Sequence, residues 1–340
     1  MIDYSSNINA VGSMEVALVA ARKHVDIILK YPDYLNTNII ALVSNYFGVP
    51  PETVAVGAGS TQVFFDLPRL LPYMRAVVVV PAFWEYTALN ERNHKEIQKV
   101  YLKAEQGFEP DYDLLGRTVR EGDAVFLCNV NNPTSRLYKK EALLKLVKDN
   151  PETHFIVDET YLLFRGDYEE QTVSKEVQMV RNLHVVTSLS KFFALPGIRL
   201  GILISNKETV ASYITSVHVP YSIHPLSCVA FQPLFEDAAF TRQCREFYDE
   251  ERKDFYAKAK KKLSGRLEMI EPDGNFILGR ILTGQKSATV VHALSEKGIL
   301  IRDGGELSDL GEAWIRFSLR SEKDNAFLLK KLDEVLTRKS

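Results

Sequence analysis

Three cysteines in 340 residues, Cys128, Cys228 and Cys244, are too few and too widely spaced for a disulfide framework or a metal knuckle. The seven histidines are scattered without ligand spacing, so no metal site is expected. No apolar stretch is long enough to span a bilayer, and Met1-Ile2-Asp3-Tyr4-Ser5 has neither the basic start nor the apolar core of a secretory signal. The expectation is a cytoplasmic protein. Positive charge is not in excess: 42 Lys and Arg against 44 Asp and Glu give a net charge of -2, which removes any electrostatic case for nucleic acid or anionic membrane as partners. The lysine-rich patch Lys258 to Lys262 lies in a helical pattern and reads as a solvated face. Internal repeats and low-complexity segments are absent too. What remains, 46% hydrophobic and 25% charged, is an ordinary globular composition, long enough for a large α/β core and a smaller second domain.

The stretch with the densest chemistry is Thr187 to Gly201, T-S-L-S-K-F-F-A-L-P-G-I-R-L-G. An apolar β-type run from His184 delivers Ser188 and Ser190 directly before Lys191, and Arg199 follows a Pro-Gly turn. Hydroxyls and a guanidinium are phosphate ligands, and a lysine at their edge is what pyridoxal phosphate enzymes use for their Schiff base. A surface loop with the same letters is the plain alternative.

Taken in order, residues 2 to 12 form a polar, turn-rich arm ahead of helical patterns at Met14–Ile28 and Asn38–Phe47, separated by the break Lys30-Tyr31-Pro32-Asp33. From Thr53, short β-branched runs alternate with helices. Val54–Val56 leads into Gly57-Ala58-Gly59-Ser60-Thr61 and an apolar helix, a strand, turn and helix N-terminus suited to a phosphate. Ala76–Val80 is apolar throughout, as a strand buried on both faces must be, and ends in the aromatics Phe83, Trp84 and Tyr86. That cluster reads either as a core corner or as a ring stacked on a flat heteroaromatic group. Ile97–Leu102 and Ala124–Cys128 continue the alternation, the latter running into Asn129-Val130-Asn131-Asn132-Pro133-Thr134-Ser135. His154–Val157 ends in Asp158, a carboxylate that is costly there unless exposed or paired with a cation such as a pyridinium, with Tyr161 in the same loop. Leu200–Ser205 completes the strand set. Longer helices follow at Lys207–Val217 and Leu226–Leu263, then strand-like segments near 267–270, 275–281, Ile299–Asp303 and Trp314–Arg320. Arg302 and Arg316 on the last two suggest a paired anion site.

These ordered motifs resemble the fold type I pyridoxal phosphate enzymes of the class I/II aminotransferase group over nearly the whole length. The arm Asp3-Tyr4-Ser5-Ser6-Asn7-Ile8-Asn9, the Pro-x-Phe-x-Glu-Tyr motif ending at Tyr86, Lys191 to Gly197 and Val219-Pro220-Tyr221-Ser222 look like the branch that holds histidinol-phosphate aminotransferases, and within it the threonine-phosphate decarboxylases of cobamide assembly. A His-Gly-Gly segment usually precedes the arm in the family; the sequence in hand starts at the arm. The usual Asn-Pro-Thr-Gly reads Asn132-Pro133-Thr134-Ser135.

The resemblance implies an α/β fold with a large cofactor-binding domain on a mostly parallel central sheet (36–217), a smaller α+β domain (218–340), and an arm and helix (1–35) packing on the latter. It implies that Lys191 is the Schiff-base lysine and that Asp158 pairs with the pyridine nitrogen. Asn132 and Tyr161 would bond the 3′ oxygen and Phe83 would stack on the ring. Ser60, Thr61, Ser188, Ser190 and Arg199 would form the phosphate cup, joined by Tyr31 of the neighbouring subunit, so a homodimer with shared active sites is implied. Arg316 would take the substrate α-carboxylate, Arg302 a substrate phosphate, and Asn9 would also contact substrate. The implied reaction is decarboxylation of O-phosphothreonine or O-phosphoserine to an amino-alcohol phosphate; the alternative is an aminotransferase acting on histidinol phosphate or another amino acid. A noncatalytic fold type I binding module is a third reading, opposed by the intact set Lys191, Asp158, Tyr161 and Arg199.

Overall fold

A computed structural model describes residues 1–11, 14–307 and 309–337. The β-branched runs segregate into strands because residues apolar on every position can only be covered on both faces. Val54–Ala58 (β2), Arg75–Val80 (β3), Glu96–Tyr101 (β4), Ala124–Cys128 (β5), His154–Asp158 (β6), Leu183–Ser188 (β7) and Leu200–Ile204 (β8) form one seven-stranded sheet, numbered after the arm strand Ile2–Asp3 (β1). Its order is β2-β8-β7-β6-β5-β3-β4, parallel except for β8, which runs antiparallel to both neighbours. Such a sheet needs helices on both faces, and two buried apolar clusters flank it, one around Phe155 and Ile202, the other around Phe64 and Phe126.

Further along, Leu267–Met269 (β9), Phe276–Ile281 (β10), Arg302–Asp303 (β12) and Trp314–Ser318 (β13) form a four-stranded sheet, β12-β13-β10-β9, and Ile299–Leu300 (β11) lies outside it. The arm is bound to this half: β1 pairs in parallel with β11, and Ser318 N–H donates to Tyr4 carbonyl at 2.8 Å. The helix Glu15–Lys23 packs on the helix Leu226–Glu236.

Two expectations differ from the fold. The helix read as continuous from Leu226 to Leu263 breaks at Asp237, whose carboxylate caps the next helix by accepting Phe240 N–H at 2.8 Å. The segment Ile299–Asp303 is not one strand: β11 pairs with the arm and β12 with β13. Among the described residues no helix is long and apolar enough to cross a membrane, and no group of three His, Cys, Asp or Glu side chains is placed to hold a metal ion.

Candidate active site

The carboxyl ends of parallel strands β5, β6 and β7 deliver Cys128, Asp158 and Ser188 to one edge, with Cys128 and Asp158 in direct register. That edge is where open α/β sheets keep their ligands. Ser188 caps the short helix Leu189–Phe192, which carries Lys191. Opposite, β2 passes through Gly59 (φ +86) into the helix Ser60–Leu70. A side chain at Gly59 would be strained by that φ, and its Cβ would displace the Arg199 guanidinium. Gly201, on β8, must be bare because the Gly59–Ser60 peptide packs on it. These two glycines bring Arg199 against the first turn of that helix, whose leading N–H groups lack intrahelical acceptors.

The result is a cavity of about 170 Å³ lined by Ser60, Thr61, Phe83, Cys128, Asn132, Asp158, Thr160, Tyr161, Ser188, Ser190, Lys191, Pro196 and Arg199. A second, of about 310 Å³, shares Phe83, Asn132, Tyr161 and Lys191 as walls and adds Ser5, Ser6, Trp84, Arg302, Glu306 and Arg316. A larger hollow of about 430 Å³ between Tyr46, Phe235 and Arg245 contains none of these groups.

At one end of the inner cavity Asp158 is buried and accepts from the Tyr86 hydroxyl at 2.6 Å and from Thr160 N–H at 2.9 Å. Burial raises its pKa, and among the described residues it has no cationic partner. The other end carries the hydroxyls, the helix N-terminus and Arg199; the Ser190 hydroxyl is buried without a partner. Such groups are normally satisfied. Lys191 lies between the two ends. Burial, then the Arg316 and Arg199 charges, lower its pKa, which favours the neutral amine.

Arg316, on β13, is 5% exposed, and burial pulls its guanidinium down to about 10. It donates to Asn132 Oδ1 and, at 2.6 Å, to the Ser5 carbonyl, while its Nε has no partner. Tyr161 is buried and pushed up to about 12. Arg302 stands directly across β12–β13 from Arg316.

Two expected site residues are not brought to the cavity by this chain. Asn9 is consumed structurally: its amide donates to Phe192 carbonyl at 2.8 Å and its oxygen accepts from Tyr248 and from Val11 N–H, both at 3.0 Å. Asn7, two positions earlier, is fully buried at φ +54 and faces the Tyr161 hydroxyl with neither amide atom in a well-formed hydrogen bond. Tyr31 is 86% exposed and packs on Tyr221, ring centroids 5.2 Å apart, away from Lys191. Sequence reasoning missed Tyr86 as the donor to Asp158, although its aromatic cluster was visible, and missed the Ser6 carbonyl, which accepts from Lys191 Nζ at 3.1 Å.

The family model for aminotransferase class I and II matches residues 1–332. The chain belongs to this family. It is 27% identical over 341 residues to a threonine-phosphate decarboxylase from Salmonella typhimurium, covering 99% of this chain and 92% of that one. It is 30% identical over 312 residues to a histidinol-phosphate aminotransferase from Thermoanaerobacter sp. (strain X514), covering 90% and 84%. The solved histidinol-phosphate aminotransferase from Clostridium acetobutylicum superposes with a TM-score of 0.91 at 25% identity, 99% of each chain being covered. This class I/II aminotransferase-family enzyme thus has the fold type I architecture, and the family is pyridoxal phosphate-dependent.

Proposed function

We propose that the protein binds pyridoxal 5′-phosphate in the inner cavity and decarboxylates an O-phospho-L-amino acid, phosphothreonine or phosphoserine, bound in the outer one. The observation that carries this reading is the placing of two guanidinium groups, Arg302 and Arg316, on directly opposed strand positions in the wall of the cavity that holds the half-buried Lys191. Like charges opposite one another are unfavourable in a sheet unless anions lie between them. A phosphoamino acid brings one anion for each.

The inner cavity fits the cofactor on the chemistry of its walls. Ser60, Thr61, Ser188, Ser190 and Arg199 would hold the phosphate, and Asp158 would hold the proton on the pyridine nitrogen, supplying the cation it lacks. Asn132 and Tyr161 would bond the 3′ oxygen, Phe83 would cover the ring, and Lys191 would be the linked amine. Bound there, the cofactor supplies an electron sink for a bond broken at the substrate Cα. Arg316 grips the α-carboxylate, with Asn132 beside it, and its hold orients the bonds at Cα. Lys191 Nζ would take up the proton that the substrate ammonium gives up on binding and pass it to Cα after carbon dioxide leaves. In the second reading, transamination of histidinol phosphate, the same amine removes the Cα proton instead. The 0.91 TM-score and the 30% identical relative favour keeping it.

A product assay separates the two. With O-phospho-L-threonine or O-phospho-L-serine, the proposal predicts carbon dioxide and amine phosphate in equal yield with the cofactor unchanged. Conversion of the cofactor to its pyridoxamine form with an oxo product would assign the aminotransferase, with histidinol phosphate the next substrate.

A further inference from the structure

Arg302 is not free in the outer cavity. Its Nη1 lies 3.8 Å from Glu306 Oε2, the two side chains 43% and 68% exposed. A built turn fixes the backbone that carries Glu306. Asp303 Oδ1 accepts Gly305 N–H at 2.8 Å and the Ser287 hydroxyl at 2.5 Å, and Gly304 is pressed so closely on the Trp314 backbone that a Cβ would collide with it. Both charges line the cavity that holds Lys191 and Arg316. Arg316 differs: it is buried and its described partners are neutral oxygens.

We propose that Glu306 is a specificity residue of the substrate site: the resident counter-ion of Arg302, which a substrate's distal anion must displace. The proposal rests on the reading of Arg302 and Arg316 as the two anion-binding ends of the site. A distal carboxylate would exchange one singly charged carboxylate for another and gain nothing, because the incoming group offers Arg302 what Glu306 already gives. A phosphate or phosphonate brings two charges and three acceptor oxygens, enough to outbid the resident carboxylate. The site is therefore one for phosphate monoesters and closed to dicarboxylic amino acids, a discrimination that Arg302 alone would not provide. No covalent step is involved.

Three amine-free acids that do not react with the cofactor test this by calorimetric titration of the cofactor-loaded enzyme: propionate, succinate and 3-phosphonopropionate. The quantity read is how much more tightly the second and third bind than propionate. In the wild type the succinate increment is expected to be close to one and the phosphonate increment tenfold or more. In Glu306→Gln the succinate increment should rise to about three- to fivefold, the range of an exposed ion pair, and in Arg302→Gln/Glu306→Gln it should return to one. A succinate increment that is the same in wild type and Glu306→Gln, or a gain that persists without Arg302, would overturn the role of Glu306. A wild type that binds the phosphonate no better than propionate, with the succinate gain still present in Glu306→Gln, would instead overturn the phosphate reading while leaving Glu306 as the counter-ion.

Discussion

Asp158 accepts one hydrogen bond from a hydroxyl and one from a backbone N–H, and burial works against its charge. With pyridoxal phosphate bound, Tyr86 would therefore act on it through Asp158: its hydroxyl favours the carboxylate that would pair with the pyridinium. Hydrogen bonds to charged groups contribute about 1.5–3 kcal/mol, so Tyr86→Phe is expected to weaken pyridoxal phosphate binding about tenfold or more, read by fluorescence titration of the apoprotein. Unchanged affinity would remove Tyr86 from that role. At this scale the sequence was legible in which chemistry-bearing residues the fold gathers at the cavities, as with Lys191, Asp158 and Arg316. It was not legible where two candidates are alike. Asn7 and Asn9 have the same side chain two positions apart, and only folding shows that Tyr248 and the Phe192 carbonyl use up Asn9 and leave the Asn7 amide unpartnered.

At the element scale the two ends of the sheet differ: the carboxyl end gathers the cavity residues, and the other end pairs two histidines. At the start of β6 and β7, His154 Nδ1 lies 3.1 Å from His184 Nε2, and His184 Nδ1 lies 2.8 Å from the Ser205 hydroxyl. Burial, with a smaller contribution from His154, pushes His184 down to about 3. Its folded pKa is thus below the ordinary 6.5, the unfolded chain takes up the proton first, and the stability it contributes is present above pH 6.5 and lost as the pH falls toward 3. The stability advantage of wild type over His184→Asn should shrink below pH 6.5 by about 1.4 kcal/mol per pH unit, measured as urea midpoints between pH 7 and 4. A constant difference would contradict it. Continuous apolar runs such as Ala124–Cys128 announced the central strands directly, since burial on both faces leaves no other pattern. The break at Asp237 and the split between β11 and β12 were hidden, because both depend on partners far away in sequence.

On the scale of the whole molecule, the single chain leaves Ile28, Leu29, Tyr31, Tyr34, Val219 and Tyr221 exposed, with the Tyr31, Tyr34 and Tyr221 rings in contact. A patch of this kind marks an interface. We propose a homodimer in which Tyr31 reaches the partner's phosphate cup, with the division at 35/36 and 217/218 separating arm, cofactor domain and small domain. Light scattering should give twice 38.6 kDa. Mixed dimers of Lys191→Ala and Tyr31→Ala should recover activity that neither parent has, because one of their two sites is intact; no recovery would place Tyr31 outside the shared site.

All three scales bear on one proposed covalent link, between pyridoxal phosphate and Lys191 Nζ. Pyridoxal phosphate added to the apoprotein, followed by borohydride reduction and peptide mass mapping, tests it most directly. The account predicts a single reduced adduct per chain, on the peptide containing Lys191 and at that residue. An adduct on another lysine, or none despite bound cofactor, would contradict it.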